Sequence, residues 1–186
     1  MDTEKEKSGG LEKLNLDEMD FIETWKAVVF NPTNFFKYMP AKGGYKKPLF
    51  FAVLCHLPTI LIKDLFLFFR GFPYLSEVII FYIVVNILLI PIELFMVGVL
   101  FQMSAVAFAK ETYGEFEGTV RLLSYATATN VVSWIPIINV FAITYQLYLI
   151  WNGIKEVHKT TGLRALAILS IPAIVAAVAA VLLFIP

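Results

Sequence analysis

The stretch from Glu77 to Ala109 carries one charge, Glu93, beyond its first residue, and it limits what the chain can fold into more than any other feature. As a helix its 33 positions would be roughly 50 Å long, against a bilayer hydrocarbon core about 30 Å thick. Such a helix has to tilt, protrude or bend. Pro91 lies near its middle and deprives the Ile87 carbonyl of its helical donor, and Glu93 follows two residues later. A carboxylate at that depth is costly unless the protein surrounds it.

The rest of the composition agrees with a membrane solvent. Of 186 residues, 59% are hydrophobic and 16% charged, and the mean hydropathy is +0.74, which fits one small polytopic membrane domain better than a soluble one. Charge is unevenly placed. Residues 1–23 hold eight acids and three lysines, whereas residues 24–48 hold Lys26, Lys37, Lys42, Lys46 and Lys47 without an acid. A basic collar beside the first apolar segment suits anionic lipid headgroups. No apolar run of signal-peptide length occurs in the first 48 residues, so no cleaved leader is expected. The single cysteine, Cys55, cannot form an internal disulfide and reads as a small buried hydrophobe.

Along the chain, residues 1–19 read as a disordered acidic tail. In 20–48, Phe21, Ile22, Trp25, Val28 and Val29 share one helical face, and Asn31-Pro32 opens a second short helix carrying Phe35, Phe36 and Met39. This amphipathic segment is expected to meet the membrane interface or a partner through Phe21, Trp25, Phe35, Phe36, Lys37, Lys46 and Lys47; the competing expectation is that it packs on the domain's own cytoplasmic loops. The membrane domain, 49–186, is expected to span at about 49–69, 77–109, 119–134, 137–154 and 165–184. The third of these is only 16 residues long, about 24 Å, and polar enough to need shielding by neighbours. In the last, Ala173, Ala177 and Ala180 offer small-residue spacings for self-association or helix packing.

Cytoplasmic loops are enriched in Lys and Arg. With five spans, thirteen such residues fall on the side of the N-terminus and only Arg70 on the other; splitting the long run at Pro91 gives eight against six. The expected fold is therefore an all-α five-transmembrane-helix bundle with a cytoplasmic amphipathic N-terminal segment and the C-terminus outside. A re-entrant hairpin over 119–154 would leave that parity unchanged.

The segments FNPTNFFKYM, GGYKKPLFFA, RLLSYATATN, WIPIINV and WNGIKEVHKTTGLRAL, in that order, resemble the prokaryotic branch of the Yip1-domain family from about Trp25 to the C-terminus. The resemblance implies five membrane helices, a cytoplasmic N-terminal segment and, for this branch, a cytoplasmic-membrane location. Eukaryotic relatives sit in Golgi and ER membranes, bind prenylated Rab-type GTPases, associate with one another and are linked to vesicle traffic. The aspartate-leucine-tyrosine-glycine-proline signature before the first span is absent, and Thr129 stands where a proline is expected, so small-GTPase binding does not carry over.

Residues seven apart on a helix share a face. His56, Lys63 and Arg70 do so on the first span, Asn86 and Glu93 on the long one, and Asn139 and Gln146 on the fourth. Without Arg70, and with Asp64, Arg121 and Asn130, these form a candidate intramembrane polar cluster, which serves either as a cavity for an ion, proton or lipid headgroup or as a buried ion pair with amide bonds that fix helix register. The depths of Lys63 and Glu93 allow a pair between them without requiring one. Enzyme signatures are missing: there is no H-E-x-x-H, G-x-S-x-G or C-x-x-C, adjacent Cys55 and His56 point different ways on a helix, and His158 is remote from His56. No catalytic residue, cofactor, metal or nucleic-acid partner is expected. A non-enzymatic protein that organises membrane or recruits partners leads; a transporter or channel-like protein using the polar interior is the alternative.

Overall fold

In a computed structural model, which describes residues 19–69, 76–109 and 114–184, the described residues form seven α-helices and one 3-10 segment and contain no strand. Helix α1 (Phe21–Phe30) starts at a capping box: the Asp20 carboxylate accepts from the Glu23 amide at 2.7 Å, and the Glu23 carboxylate accepts from the Asp20 amide at 3.3 Å. Asn31 makes no side-chain capping bond. Pro32, which stands in the first turn of α2 (Pro32–Tyr38), separates the two helices by pushing Asn31 out of the helical region.

Helix α3 (Lys46–Phe69) is followed by α4 (Ser76–Phe108), in which the whole long run forms one helix with Pro91 inside it. Helix α5 (Phe116–Ala126) gives way to a 3-10 segment (Thr127–Val131). An α-helix over 119–134 is thus corrected to a shorter one, about 16 Å long. The hydroxyls explain where it stops. Ser124 Oγ donates to the Val120 carbonyl and Thr127 Oγ1 to the Ser124 carbonyl, a local competition with the helical ladder that tightens the next turn. Helices α6 (Pro136–Val157) and α7 (Gly162–Phe184) complete the bundle.

Helix α4 packs on α3, α5 and α7, and α6 packs on α2, α5 and α7. Helix α5 is buried from Gly118 to Ala126 in the midst of these helices. The packed centre contains Phe35, Phe36, Phe51, Leu122, Tyr125, Leu149 and Ile154. Large apolar side chains also point outward, among them Phe81, Leu88 and Met96 of α4, Phe141 of α6 and Val178 of α7. Apolar surface on that scale calls for a lipid or protein covering. Among the described residues, Ile80–Phe108 and Pro136–Val157 are long and apolar enough to cross a membrane.

Candidate functional site

Two polar stripes from the sequence face each other across α3 and α4. His56, Thr59 and Lys63 of α3 meet Asn86, Leu89, Ile90 and Glu93 of α4 around a cavity of about 280 Å³. A second cavity of about 240 Å³ shares His56, Ile90 and Glu93 and adds Asn130 and Gln146. Six of the expected cluster residues, His56, Lys63, Asn86, Glu93, Asn130 and Gln146, therefore line two neighbouring cavities that share His56, Ile90 and Glu93.

Its parts differ in how they are held. His56 is engaged at both ring nitrogens: Nδ1 donates to the Ala52 carbonyl at 2.8 Å, and Nε2 lies 2.7 Å from the Asn130 side-chain amide. Thr59 Oγ1 bonds the Asn130 carbonyl at 2.8 Å and lies 2.9 Å from Ser133 Oγ. The 3-10 segment is thereby tied to α3 through its irregular backbone, where polar groups need partners most. Lys63 and Glu93 are exposed and do not form the ion pair that their positions allowed.

Three cluster residues lie elsewhere or outside description. Arg121 is 4% exposed but points from the middle of α5 toward the loop before α3, where Nη1 donates to the Gly44 carbonyl at 2.8 Å and lies 3.9 Å from Glu117. Glu117 also accepts from the Gly44 amide at 2.6 Å. Gly43 and Gly44 have φ values of 142° and 83°, a backbone region that L side chains rarely adopt, and a Cβ on Gly43 would meet the Arg121 guanidinium at 3.2 Å. Arg121 is therefore a clamp for this loop, not a member of the two cavities. Asn139 lines neither cavity. Arg70 and the side chain of Asp64 fall outside the described residues.

The aromatics of the N-terminal helices pack on α3, α5 and the 3-10 segment of the bundle and not on cytoplasmic loops. Phe35 and Phe36, offered by the pattern as interface contacts, are 1% and 2% exposed and belong to the core. Phe35 packs edge-on against Tyr125 at 5.0 Å, and Phe21 packs against Phe51 at 5.3 Å. Trp25 Nε1 donates to the Ala128 carbonyl at 2.9 Å. What α1 leaves outside is a different stripe, Ile22, Lys26 and Phe30, spaced i, i+4, i+8. Lys37, Lys46 and Lys47 are exposed beside it. On α7, Ala165, Ile168 and Pro172 are buried while Ala173 and Ala177 remain exposed; the Ala180 side chain is outside the described residues.

One polar node escaped the sequence pattern. His158 is 1% exposed; its Nδ1 accepts from the Gly114 amide at 2.9 Å and its Nε2 lies 3.2 Å from Thr119 Oγ1. Thr119 donates in turn to Gln102 Oε1 at 2.7 Å, and Gln102 Nε2 donates to the Gly114 carbonyl at 2.9 Å. Burial pushes the His158 imidazole down to about 4. This node ties α4, α5 and α6 together at their shared end. Its residues are isolated from one another in sequence and share no spacing that could announce them.

The family model described as the Yip1 domain matches residues 26–184. The chain belongs to the Yip1 domain family. No curated protein and no solved structure matches it. The match takes in the second half of α1, from Lys26, and all of α2 along with the helices of the bundle. This Yip1-domain protein is a membrane protein, of a family that is in general non-enzymatic.

Proposed function

We propose that this Yip1-domain protein is a non-enzymatic, five-span protein of a prokaryotic cytoplasmic membrane that organises the bilayer from its cytoplasmic side, with α1 as a shallow wedge in the lipid interface. The observation that carries this is the exposed stripe of α1. Ile22 is 57% and Phe30 76% exposed, with Lys26 between them, although the opposite face of the same helix is packed into the bundle. At a lipid interface a lysine between two apolar residues can extend its ammonium outward while its neighbours stay among the acyl chains.

In this scheme α3, α4, α6 and α7 cross fully, and α5 with its 3-10 segment fills the remaining crossing inside the bundle, keeping the N-terminus cytoplasmic and the C-terminus outside. Reporters at the two chain ends should occupy opposite compartments. The wedge itself is tested by reconstituting the full chain into large vesicles. The native chain is expected to increase vesicle curvature or fragmentation, and Ile22→Asp with Phe30→Asp should insert equally while losing that effect. Equal remodelling by both would overturn the proposal. A transport role is favoured by one separate observation, the polar groove at His56 and Glu93, and flux that disappears in Glu93→Gln would establish it.

A further inference from the structure

The groove between α3 and α4 holds two charges that the protein leaves for something else. Lys63 and Glu93 line the same cavity of about 280 Å³, and among the described residues neither has an ion-pair or hydrogen-bond partner. Glu93 is the eighteenth of the 33 residues of α4, close to its midpoint. Lys63 is two turns, roughly 10 Å, along α3 from His56, which lines both cavities together with Glu93. A membrane-facing cavity with opposite, separated charges is costly unless both are answered. A cation would answer Glu93 and leave Lys63; an inorganic anion would do the reverse.

We infer that this cavity binds the zwitterionic headgroup of an aminophospholipid of the phosphatidylethanolamine class, its ammonium on Glu93 and its phosphate on Lys63. The size is right for a headgroup, since the cavity falls just below the roughly 300–1,000 Å³ of sites for drug-sized molecules. Its surroundings favour a lipid over a soluble zwitterion. Leu88, Leu89 and Ile92, on and beside the lining stretch of α4, are 64%, 49% and 54% exposed, and Leu61 of α3 is 50% exposed. These side chains give acyl chains an apolar wall to lie on while the headgroup is inside. The amide of Asn86 donates to the Tyr82 carbonyl, which directs its oxygen away from its own backbone and leaves it as a further acceptor for an ammonium.

The inference rests on α3 and α4 being membrane-embedded and is independent of the wedge role of α1. The full chain is reconstituted in bilayers of equal parts phosphatidylethanolamine, phosphatidylcholine and phosphatidylglycerol, re-extracted, and its retained lipid is counted by mass spectrometry. Phosphatidylethanolamine should be enriched over both others, because only it offers an ammonium with N–H donors together with a phosphate. Glu93→Gln and Lys63→Gln should each lower that enrichment by about tenfold, the loss of one charge-assisted hydrogen bond. Leu89→Trp, which fills the cavity and keeps both charges, should remove it; this variant carries the test if a charge variant does not fold. Retention without headgroup preference, or enrichment unchanged in all three variants, would overturn the inference. Displacement of the lipid by millimolar free phosphoethanolamine would overturn the lipid assignment, and Ile22→Asp with Phe30→Asp should leave retention unaltered.

Discussion

The hydroxyl of Tyr145, in the middle of α6, donates to the carbonyl of Val29, one of the last carbonyls of α1, at 2.5 Å. Such carbonyls lack partners inside their own helix, so the bond both satisfies a helix end and fastens the N-terminal cap to the bundle. With Trp25 bonded to Ala128, it holds α1 at two points that are distant in sequence.

Tyr145→Phe deletes the donor and leaves that carbonyl to water or lipid headgroups. The expected loss is about 1 kcal/mol, concentrated in the attachment of α1. Hydrogen exchange should therefore quicken at the amides of α1 and stay unchanged along α6. Uniform quickening, or none, would contradict the two-point attachment.

Gly153 is required by contact and not by backbone angle. A Cβ there would lie 1.7 Å from Leu122 Cδ1 and 3.3 Å from Phe36 Cδ1, and Leu122 is completely buried. Gly153→Ala should cost roughly 1–3 kcal/mol by overpacking α5 against α6. Thermal unfolding of Leu122→Ala with Gly153→Ala should show less destabilisation than the two single changes added together, because the first makes room for the second.

His158 makes stability depend on pH. Its folded value of about 4 lies below the unfolded value near 6.5, so between these the folded state binds fewer protons. Stability from this group is complete above about pH 6.5 and declines as pH falls toward 4, by roughly 3 kcal/mol in all. A proton on Nδ1 would face the Gly114 N–H that now donates to it. Unfolding midpoints measured from pH 7.5 to 4 should fall more steeply for the native chain than for His158→Gln.

The loop before α3 separates a buried clamp from a surface ion pair. Arg121→Met removes the donor to the Gly44 carbonyl and leaves Glu117 without its cation, at a cost of roughly 2–3 kcal/mol. Lys42 and Glu115 are 2.7 Å apart but well exposed, with relative side-chain exposures of 71% and 57%, and solvent screens them. Lys42→Ala should leave the melting temperature unchanged within error while Arg121→Met lowers it clearly.

Much of this arrangement was legible from periodicity. The long run forms one helix across Pro91, and spacing by seven brought His56 and Lys63 opposite Asn86 and Glu93, because both helices keep one face toward the other over several turns. What periodicity could not decide was which apolar residues are used up by packing. Phe35 and Phe36 look the same in a pattern as Ile22 and Phe30, but the bundle covers the first pair, and among the described residues none buries the second. Arg121 was misplaced for a related reason: its helix is buried by neighbours from Gly118 to Ala126, so burial there says nothing of membrane depth. The node of His158, Thr119, Gln102 and Gly114 depends wholly on tertiary proximity.

The central claim is that the exposed stripe of α1 lies in lipid while the rest of that helix is held by the bundle. Nitroxide labels placed singly at positions 22, 23 and 30, in a Cys55→Ala background reconstituted in bilayers, measure it most directly through their relative access to oxygen and to a water-soluble nickel chelate. Labels at Ile22 and Phe30 should be shielded from the chelate and open to oxygen, with Glu23 showing the opposite preference. If all three sites are equally open to the chelate, α1 stands in water and the wedge does not exist.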